Sequence, residues 1–417
     1  MGAHIRHARL RPRRRRVWPA VVAVLCALAV VVAAGYWWRA VRPQAVDAQG
    51  GAPAAAQTHG PLERAAAPAP DDSSAGKARR AVRTMSMEER VGQLVMAPLY
   101  AGSDPSSLYD LIANRHVGSV LIIGNWNNGV ADVRAATDAL QSYAPEGNRL
   151  LTATDQEGGL VQHLQGPGFD DMPSAYEQGR MDADALRGSA AVWGSQLAQA
   201  GINVDLAPVV GTVVGERAAN EPIGMLDRDF GLDAQGNAEH AAAFVEGMAD
   251  AGVRSAIKHY PGLGAVTGNT DFTAEGTRDT TTTLDGPEIG AFDAALQAGP
   301  AMVMMALATY EAIDPDHPAV FSSTLIEGHL RGDLGYQGVV VTDSLSAAAL
   351  GGYEVSQLGV NLVEAGGDLA CIGALGYVGP ILDGLNARAA ADPAFAEKVT
   401  RSAERVMTLK YDMGLAG

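Results

Sequence analysis

The sequence predicts an α/β protein whose main part is a single (β/α)8 barrel, and two observations lead to this fold class. After about Lys77, short apolar runs alternate with amphipathic helical stretches, which is typical of repeated βα units. The runs number eight within about 340 residues, as in one closed barrel of the TIM type. The eight predicted strands are Gln93–Leu99, Val117–Ile123, Leu150–Asp155, Val204–Val210, Ser255–His259, Met302–Leu307, Gly338–Asp343 and Asp368–Ile372.

Helical stretches between these runs complete the pattern. Because each helix returns the chain to the start of the sheet, the strands are expected to run parallel. The alternation also permits a doubly wound open sheet, which is the alternative architecture. The predicted helices are Val133–Tyr143, Ser189–Ala200, Asn237–Ala251, Gly286–Gln297 and Val355–Ala365.

The chain before the barrel has a different composition, which predicts three segments. Residues 1–16 form a basic tail, Val17–Trp38 is an uncharged apolar stretch, and residues 39–76 are rich in Ala and Pro. About 20 apolar residues at about 1.5 Å each cross a hydrocarbon core of about 30 Å. An arginine-rich flank stays in the cytoplasm. We therefore predict a single-pass transmembrane anchor and a flexible linker, with the barrel domain, residues 77–417, outside the cytoplasm.

A cleavable signal peptide is the alternative for the apolar stretch. Val32-Ala33-Ala34 offers the small residues that a signal peptidase requires. The protein would then be secreted, and the barrel would again lie outside the cytoplasm. The two cysteines fall in the apolar stretch and in the last predicted strand, so we expect no disulfide between Cys26 and Cys371.

The charge distribution narrows the range of partners. Nine of the 31 Lys and Arg residues lie before Gln44, whereas none of the 47 Asp and Glu residues does. The remaining chain is strongly acidic and would be repelled by a phosphate backbone, which excludes nucleic acid as the expected partner. We find neither the His spacing of a metal site nor a glycine-rich phosphate loop, so no metal and no cofactor is expected.

Polar clusters follow three of the predicted strands directly. They are Asp155-Gln156-Glu157 after the third strand, Lys258-His259 at the end of the fifth and Asp343-Ser344 after the seventh. In a (β/α)8 barrel the carboxyl ends of all strands meet at one face, where the active site lies. A single Asp in such a place can also cap the next helix, but three clusters at one face favour a functional site.

The same segments resemble the family 3 glycoside hydrolases of the β-N-acetylhexosaminidase type. Lys258-His259-Tyr260-Pro261-Gly262 is similar to the Lys-His-Phe-Pro-Gly segment of that family, and the strand that ends at Asp343 is similar to the one that carries its nucleophile. The matches occur in the family's order from Ser86 to about Ile372. The matching segments are Ser86–Leu94, Asp155–Gly159 with Val161-Gln162, Ile202–Val209, Leu226–Gly231, Lys258–Gly262 and Gly338–Ser346.

The resemblance implies a function and a set of site residues. Asp343 would be the nucleophile of a retaining glycosidase that acts on N-acetylglucosamine glycosides, such as cell-wall or muropeptide fragments, through a covalent glycosyl-enzyme. A carbohydrate containing N-acetylglucosamine would be the ligand. The residues expected to bind its hydroxyls are Asp155, Arg228, Lys258 and His259.

The sequence departs from the family at the acid/base. The family's branch uses a His two residues after an Asp in the loop after strand 5, and here Asp271 is present but Thr273 occupies the position of the His. A threonine hydroxyl cannot act as a general acid near neutral pH. Asp271, Glu275 or Asp279 is expected to take over that role. The alternative is a catalytically impaired barrel that binds cell-wall glycans as a sensor or scaffold.

Overall fold

Eight parallel strands form the centre of the protein in a computed structural model, which describes residues 71–417. Each strand pairs with the next in chain order, and the first pairs with the last. A parallel bridge between Val341 and Leu369 joins the two ends of the sheet. The predicted barrel is therefore confirmed, and the open sheet is wrong. The strands are β1 Val95–Tyr100, β2 Ser119–Ile123, β3 Leu151–Thr154, β4 Val204–Asp205, β5 Arg254–Tyr260, β6 Met302–Met305, β7 Val339–Thr342 and β8 Ala370–Cys371.

Helices surround this sheet in the order that the sequence predicts. The five predicted helices correspond to α4, α6, α7, α8 and α9, and a π-helix, Thr324–Asp333, lies between β6 and β7. The α-helices are α1 Ser74–Thr84, α2 Met87–Gln93, α3 Tyr109–Ala113, α4 Val130–Gln141, α5 Ala175–Gln178, α6 Ala183–Gln199, α7 Ala234–Asp250, α8 Pro287–Ala295, α9 Val355–Glu364, α10 Leu375–Ala391 and α11 Pro393–Asp412.

Two small β-sheets lie at the carboxyl end of the barrel. Gln156–Gly158 pairs antiparallel with Val161–Gln162 in a hairpin directly after β3. A three-stranded sheet, Arg278–Asp279, Thr309–Tyr310 and Asp314–Pro318, follows β5 and β6. The hairpin and the sheet extend the loops at the end where the polar clusters lie.

Local sequence signals account for where elements begin and end. Ser86 and Glu89 form a reciprocal capping box at the start of α2, with the Ser86 backbone N donating to Glu89 Oε2 at 2.6 Å. This helix includes Gln93, so β1 begins two residues later than predicted. Strand β4 is shorter than predicted and ends at Asp205. Pairing resumes at Val209, which bridges to Lys258.

The inside of the barrel is filled with apolar side chains. Thirteen of them come from the strands and their immediate ends: Met96, Leu121, Leu151, Ala153, Val204, Leu206, Ala256, Met302, Met304, Val339, Val341, Leu369 and Cys371. Val406 and Leu409 of α11, together with Leu415, pack against the same cluster. Lys410, which follows Leu409 in α11, donates to Gln93 and Asn148, which precede β1 and β3. The C-terminal helix therefore closes the amino end of the barrel, opposite the polar clusters.

The N-terminal predictions concern a part of the chain that the structure does not describe. Among residues 71–417, no helix combines the length and hydropathy needed to cross a membrane. The predicted transmembrane segment Val17–Trp38, the basic tail and nearly all of the linker lie outside the described residues. They stay predictions.

Candidate active site

The carboxyl ends of β3, β5 and β7 bring the predicted residues to one face of the barrel. Asp155 directly follows β3, and Asp343 directly follows β7. Lys258 and His259 lie near the end of β5. Arg228 reaches the same place from the long loop after β4. Parallel strands with matched register make this convergence unavoidable, because they all end at the same rim.

A ladder of alternating charges connects Asp155, Lys258 and Arg228 through a fourth side chain, Glu157. Lys258 Nζ lies 2.5 Å from Asp155 Oδ1 and 2.6 Å from Glu157 Oε1. Arg228 grips Glu157 in a bidentate pair, with Nη2 to Oε1 at 2.7 Å and Nε to Oε2 at 2.9 Å. The side chains of Lys258 and Glu157 are only 1% and 3% exposed. The ladder is therefore a buried, paired network rather than a surface salt bridge.

The pairing keeps the ladder charged. Burial alone would raise the pKa of Glu157, but the positive charges of Arg228 and Lys258 outweigh it and hold that pKa well below its ordinary value. Burial alone would lower the pKa of Lys258, but the carboxylates of Asp155 and Glu157 raise it above the ordinary value. Lys258 is therefore an ammonium at any physiological pH, and it can donate to a ligand as well as to its partners.

A second network holds the loop that carries Arg228. Arg217 pairs with both neighbours of Arg228 in the sequence, reaching Asp227 Oδ1 at 3.2 Å and Asp229 Oδ1 at 2.8 Å. The Arg217 guanidinium also lies 4.4 Å from the centre of the Tyr176 ring, in a cation–π contact. The backbone of Asp227 is left-handed, with φ of 54°. These contacts fix the direction from which Arg228 approaches Glu157.

The other half of the site contains Asp343 and His259. His259 Nε2 lies 3.9 Å from Asp343 Oδ2, and the Ser344 backbone N donates to Asp343 Oδ1 at 2.7 Å. Burial, together with the charges of Arg228 and Lys258, lowers the pKa of His259 well below its usual range, so its imidazole is neutral. Burial and the negative charge of Asp271 raise the pKa of Asp343 to about 7.

The loop that carries Asp271 is hydrogen-bonded to the loop after β7. The backbone N of Ala348 donates to Asp271 O at 3.2 Å, and the N of Ala349 donates to Thr270 O at 3.0 Å. Loss of water around the Asp271 carboxylate raises its pKa, against the lowering effect of the Arg228 charge. The negative charge of Asp271 contributes to the raised pKa of Asp343, after the effect of burial.

Two other residues of this loop, considered as alternatives to Asp271, behave differently. Asp279 is fully engaged in a turn, accepting from the backbone N of Thr281 at 2.7 Å and of Thr282 at 2.8 Å, and from the Thr282 hydroxyl at 2.6 Å. Thr273 accepts from the Glu275 backbone N at 2.9 Å, a local turn contact. Glu275 is exposed. Of the carboxylates of Asp271, Glu275 and Asp279, that of Asp271 contributes to the raised pKa of Asp343.

Sequence reasoning missed three polar residues of this face. Glu157 belongs to the polar cluster that follows β3, but its pairing with Arg228 joins two segments 71 positions apart. Asp205 is buried beneath the ladder, where its Oδ1 accepts from the Gln156 backbone N at 3.0 Å and burial raises its pKa well above the ordinary value. His163 approaches Asp155 from the hairpin, and no sequence pattern pointed to it.

A barrel face with two cations fixed among carboxylates, one of them shifted towards protonation at neutral pH, defines a glycosidase type of site. The chain belongs to glycosyl hydrolase family 3: the model of the family's N-terminal domain matches residues 86–409. It is accordingly a glycosidase that acts on O-glycosyl bonds.

Relatives and solved structures agree with this assignment. The chain is 30% identical over 301 residues to an uncharacterized secreted glycosyl hydrolase of Arthroderma benhamiae, covering 67% of this chain and 80% of that protein. It is 34% identical over 229 residues to a β-hexosaminidase of Xylella fastidiosa, covering 53% of this chain and 65% of the relative, just under two thirds of its length.

Among solved structures, similarity extends over the whole barrel. The crystal structure of a β-N-acetylhexosaminidase from Beutenbergia cavernae aligns with a TM-score of 0.75 and 43% identity, covering 79% of this chain and 99% of that one. A family 3 β-N-acetylglucosaminidase from a Paenibacillus species aligns with a TM-score of 0.70 and 31% identity, covering 80% and 64%. This chain is thus a β-N-acetylhexosaminidase-like member of the family.

Proposed function

We propose that the protein is a retaining β-N-acetylhexosaminidase that uses Asp343 as nucleophile and Asp271 as acid/base. The observation that carries this proposal is the contact between the two loops that carry these carboxylates, in which the backbone N of Ala348 donates to Asp271 O at 3.2 Å. Burial and the negative charge of Asp271 raise the pKa of Asp343 to about 7, which supports their proximity. Retaining glycosidases need two carboxyl groups at one site, one as nucleophile and one as acid/base.

The first step would be glycosyl transfer to the enzyme. The Asp343 carboxylate attacks the anomeric carbon while the glycosidic C–O bond breaks, and the leaving oxygen takes a proton from Asp271. In the second step, Asp271, now ionised, removes a proton from water, and the oxygen of that water attacks the anomeric carbon and releases Asp343. The raised pKa of Asp271 favours the protonated form that the first step requires.

The charge ladder would form the sugar pocket. Asp155, Lys258 and Arg228 present a carboxylate and two cations in fixed geometry, which suits charge-assisted hydrogen bonds to vicinal hydroxyls. His259, neutral and 3.9 Å from Asp343, is placed beside the anomeric centre on this assignment. The pocket contains no free cation for an anionic substituent within residues 71–417, because Lys258 and Arg228 are already paired. A neutral N-acetylated sugar fits this balance.

We infer that the natural substrates are N-acetylglucosamine glycosides of the cell wall, such as muropeptide fragments. The hexosaminidase names of the relatives support the sugar, and the arginine-rich N-terminus with its apolar stretch supports a location outside the cytoplasm. A membrane anchor at Val17–Trp38, or secretion after cleavage, would both bring the barrel to such fragments.

Hydrolysis by purified protein tests the proposal. We expect release of nitrophenol from an aryl N-acetyl-β-glucosaminide and of N-acetylglucosamine from a β-linked disaccharide, with both activities lost in Asp343→Asn. Retention of configuration is read from the anomeric signals of the first-formed product. A protein that binds the sugar but cleaves neither substrate would instead support the impaired, glycan-sensing barrel.

A further inference from the structure

His163 occupies a fixed position at the edge of the charge ladder. Its backbone N donates to Asp155 O at 3.3 Å, and its carbonyl accepts from the backbone N of Trp126 at 2.9 Å. The segment is thus tied on one side to the end of β3 and on the other to the loop after β2. Its ring position is set by the fold rather than by a long, freely rotating connection.

The His163 ring faces one oxygen of Asp155 across a narrow gap. Asp155 Oδ1 receives the Lys258 ammonium at 2.5 Å, whereas Oδ2 lies 4.0 Å from His163 Nε2. That distance is too long for a direct hydrogen bond, which spans about 2.7–3.2 Å. A hydroxyl oxygen placed about 2.8 Å from both atoms would subtend an angle of about 90°, close to what a bridging hydroxyl tolerates.

The ionisation of the ring suits such a bridge. Burial lowers the pKa of His163, with the Asp155 carboxylate opposing that effect, and the side chain is 24% exposed. A neutral imidazole has one donor and one acceptor nitrogen. With the proton on Nε2, His163 can donate to a hydroxyl oxygen whose own proton goes to Asp155 Oδ2.

A similar histidine–carboxylate pair occurs in the other half of the site. His259 Nε2 lies 3.9 Å from Asp343 Oδ2, close to the 4.0 Å between His163 Nε2 and Asp155 Oδ2. In the proposed function, Asp343 beside His259 reacts with the sugar. The gap between His163 and Asp155 is then left for recognition of the sugar.

We propose that His163 is a substrate-binding, specificity-determining residue, which together with Asp155 Oδ2 holds one hydroxyl of the sugar. The ligand group is a neutral hydroxyl rather than a carboxylate or phosphate, because Asp155 Oδ2 would repel an anion at this distance. This inference rests on the proposed function, since it assigns a role within the same sugar pocket.

Calorimetric binding of N-acetylglucosamine and its monodeoxy analogues tests the inference. We expect His163→Ala to weaken binding of the parent sugar about tenfold, and to have no effect on the one analogue that lacks the bridged hydroxyl. His163→Gln, whose amide can reach the same gap, is expected to recover part of the affinity. The matched control is His317→Ala, which removes an exposed histidine paired with Asp314.

The possible outcomes separate the two proposals. Equal affinity of wild type and His163→Ala for the parent sugar overturns the role of His163, and so does an equal loss for every analogue, which would indicate a structural effect. Wild-type protein that binds no N-acetylhexosamine overturns the proposed function and this inference with it. Melting temperatures of both His163 variants show whether the fold is intact, and the Gln variant decides if the Ala variant is unfolded.

Discussion

Asp271 helps to raise the pKa of Asp343, together with burial, although 72 positions separate the two residues in the sequence. The link is electrostatic, and it depends on the contact between the loops after β5 and β7, where Ala348 and Ala349 donate to the backbone of Thr270 and Asp271. Two carboxylates in one space cannot both ionise easily, so one keeps its proton near neutral pH.

This coupling predicts the acidic limb of the pH–rate profile. With a nitrophenyl substrate, kcat/KM should rise as Asp343 loses its proton near pH 7. Asp271→Asn removes a negative charge, lowers the pKa of Asp343 and should move that limb to lower pH. Glu275→Gln, an exposed residue of the same loop, is the control and should leave the limb in place. An identical limb in wild type and Asp271→Asn would contradict the coupling.

The rates on two substrates with different leaving groups identify the proton donor. Leaving-group protonation is worth about 10²–10⁴ in rate for a poor leaving group and little for a nitrophenol. Asp271→Asn should therefore lower kcat for a β-linked disaccharide by about that factor while nitrophenol release changes far less. Parallel losses for the two substrates would remove Asp271 from the acid/base role.

Stability should change with pH at Asp343 in a direction opposite to most carboxylates. Its pKa is about 7 in the fold against 3.8 ordinarily, so the fold favours the protonated form, and stability is lost as pH rises from about 4 to about 7. Asn cannot ionise, so Asp343→Asn should melt at a higher temperature than wild type at pH 8. The gain in unfolding free energy is at most about 4–5 kcal/mol at about 1.4 kcal/mol per pH unit, and it should shrink at pH 5.

Asp314 provides a control of opposite sign for that measurement. Hydrogen bonds from Ser322 and His317 outweigh the effect of burial and lower the pKa of Asp314. This carboxylate stabilises the fold when ionised, so Asp314→Asn should reduce the melting temperature at pH 8. A higher melting temperature in both variants would show that the Asp343 result is unrelated to ionisation.

The buried ladder should be costly to break. Lys258→Met leaves Asp155 without its cation and removes one of the two partners of Glu157, for an expected loss of about 3–5 kcal/mol in unfolding free energy. Lys398→Met removes a lysine that pairs with Glu364 near the surface and should cost no more than about 1 kcal/mol. Denaturant titration of the two variants gives both values, and equal losses would contradict a buried network.

Topology is open to a direct test in cells. If residues 17–38 anchor the protein with the barrel outside, protease added to intact cells should degrade or release the barrel while a cytoplasmic marker stays intact. Protection of the barrel would overturn the predicted orientation. Retention in the membrane fraction after an alkaline wash distinguishes the anchor from a cleaved signal.

Much of the architecture could be predicted because it depends on periodicity. The alternation of apolar runs and helical stretches located all eight strands, and the rule that parallel strands end at one rim placed Asp155, Lys258 and Asp343 together. Prediction was poorer where contacts join distant loops. Nothing local in the sequence shows that His163 reaches Asp155, or that the loop of Asp271 contacts Ala348, because tertiary contacts determine both.

The amino end of the barrel is closed by a segment that follows all eight strands in the sequence. Leu415 O accepts from the Arg149 backbone N at 2.8 Å, and α11 contributes Val406 and Leu409 to the interior. During synthesis, the strands can emerge and pair in order, but their apolar interior stays open to water and to other chains until residues 393–417 have been made. A nonsense mutation at Pro393 would spare every codon of the site and still yield an aggregating protein.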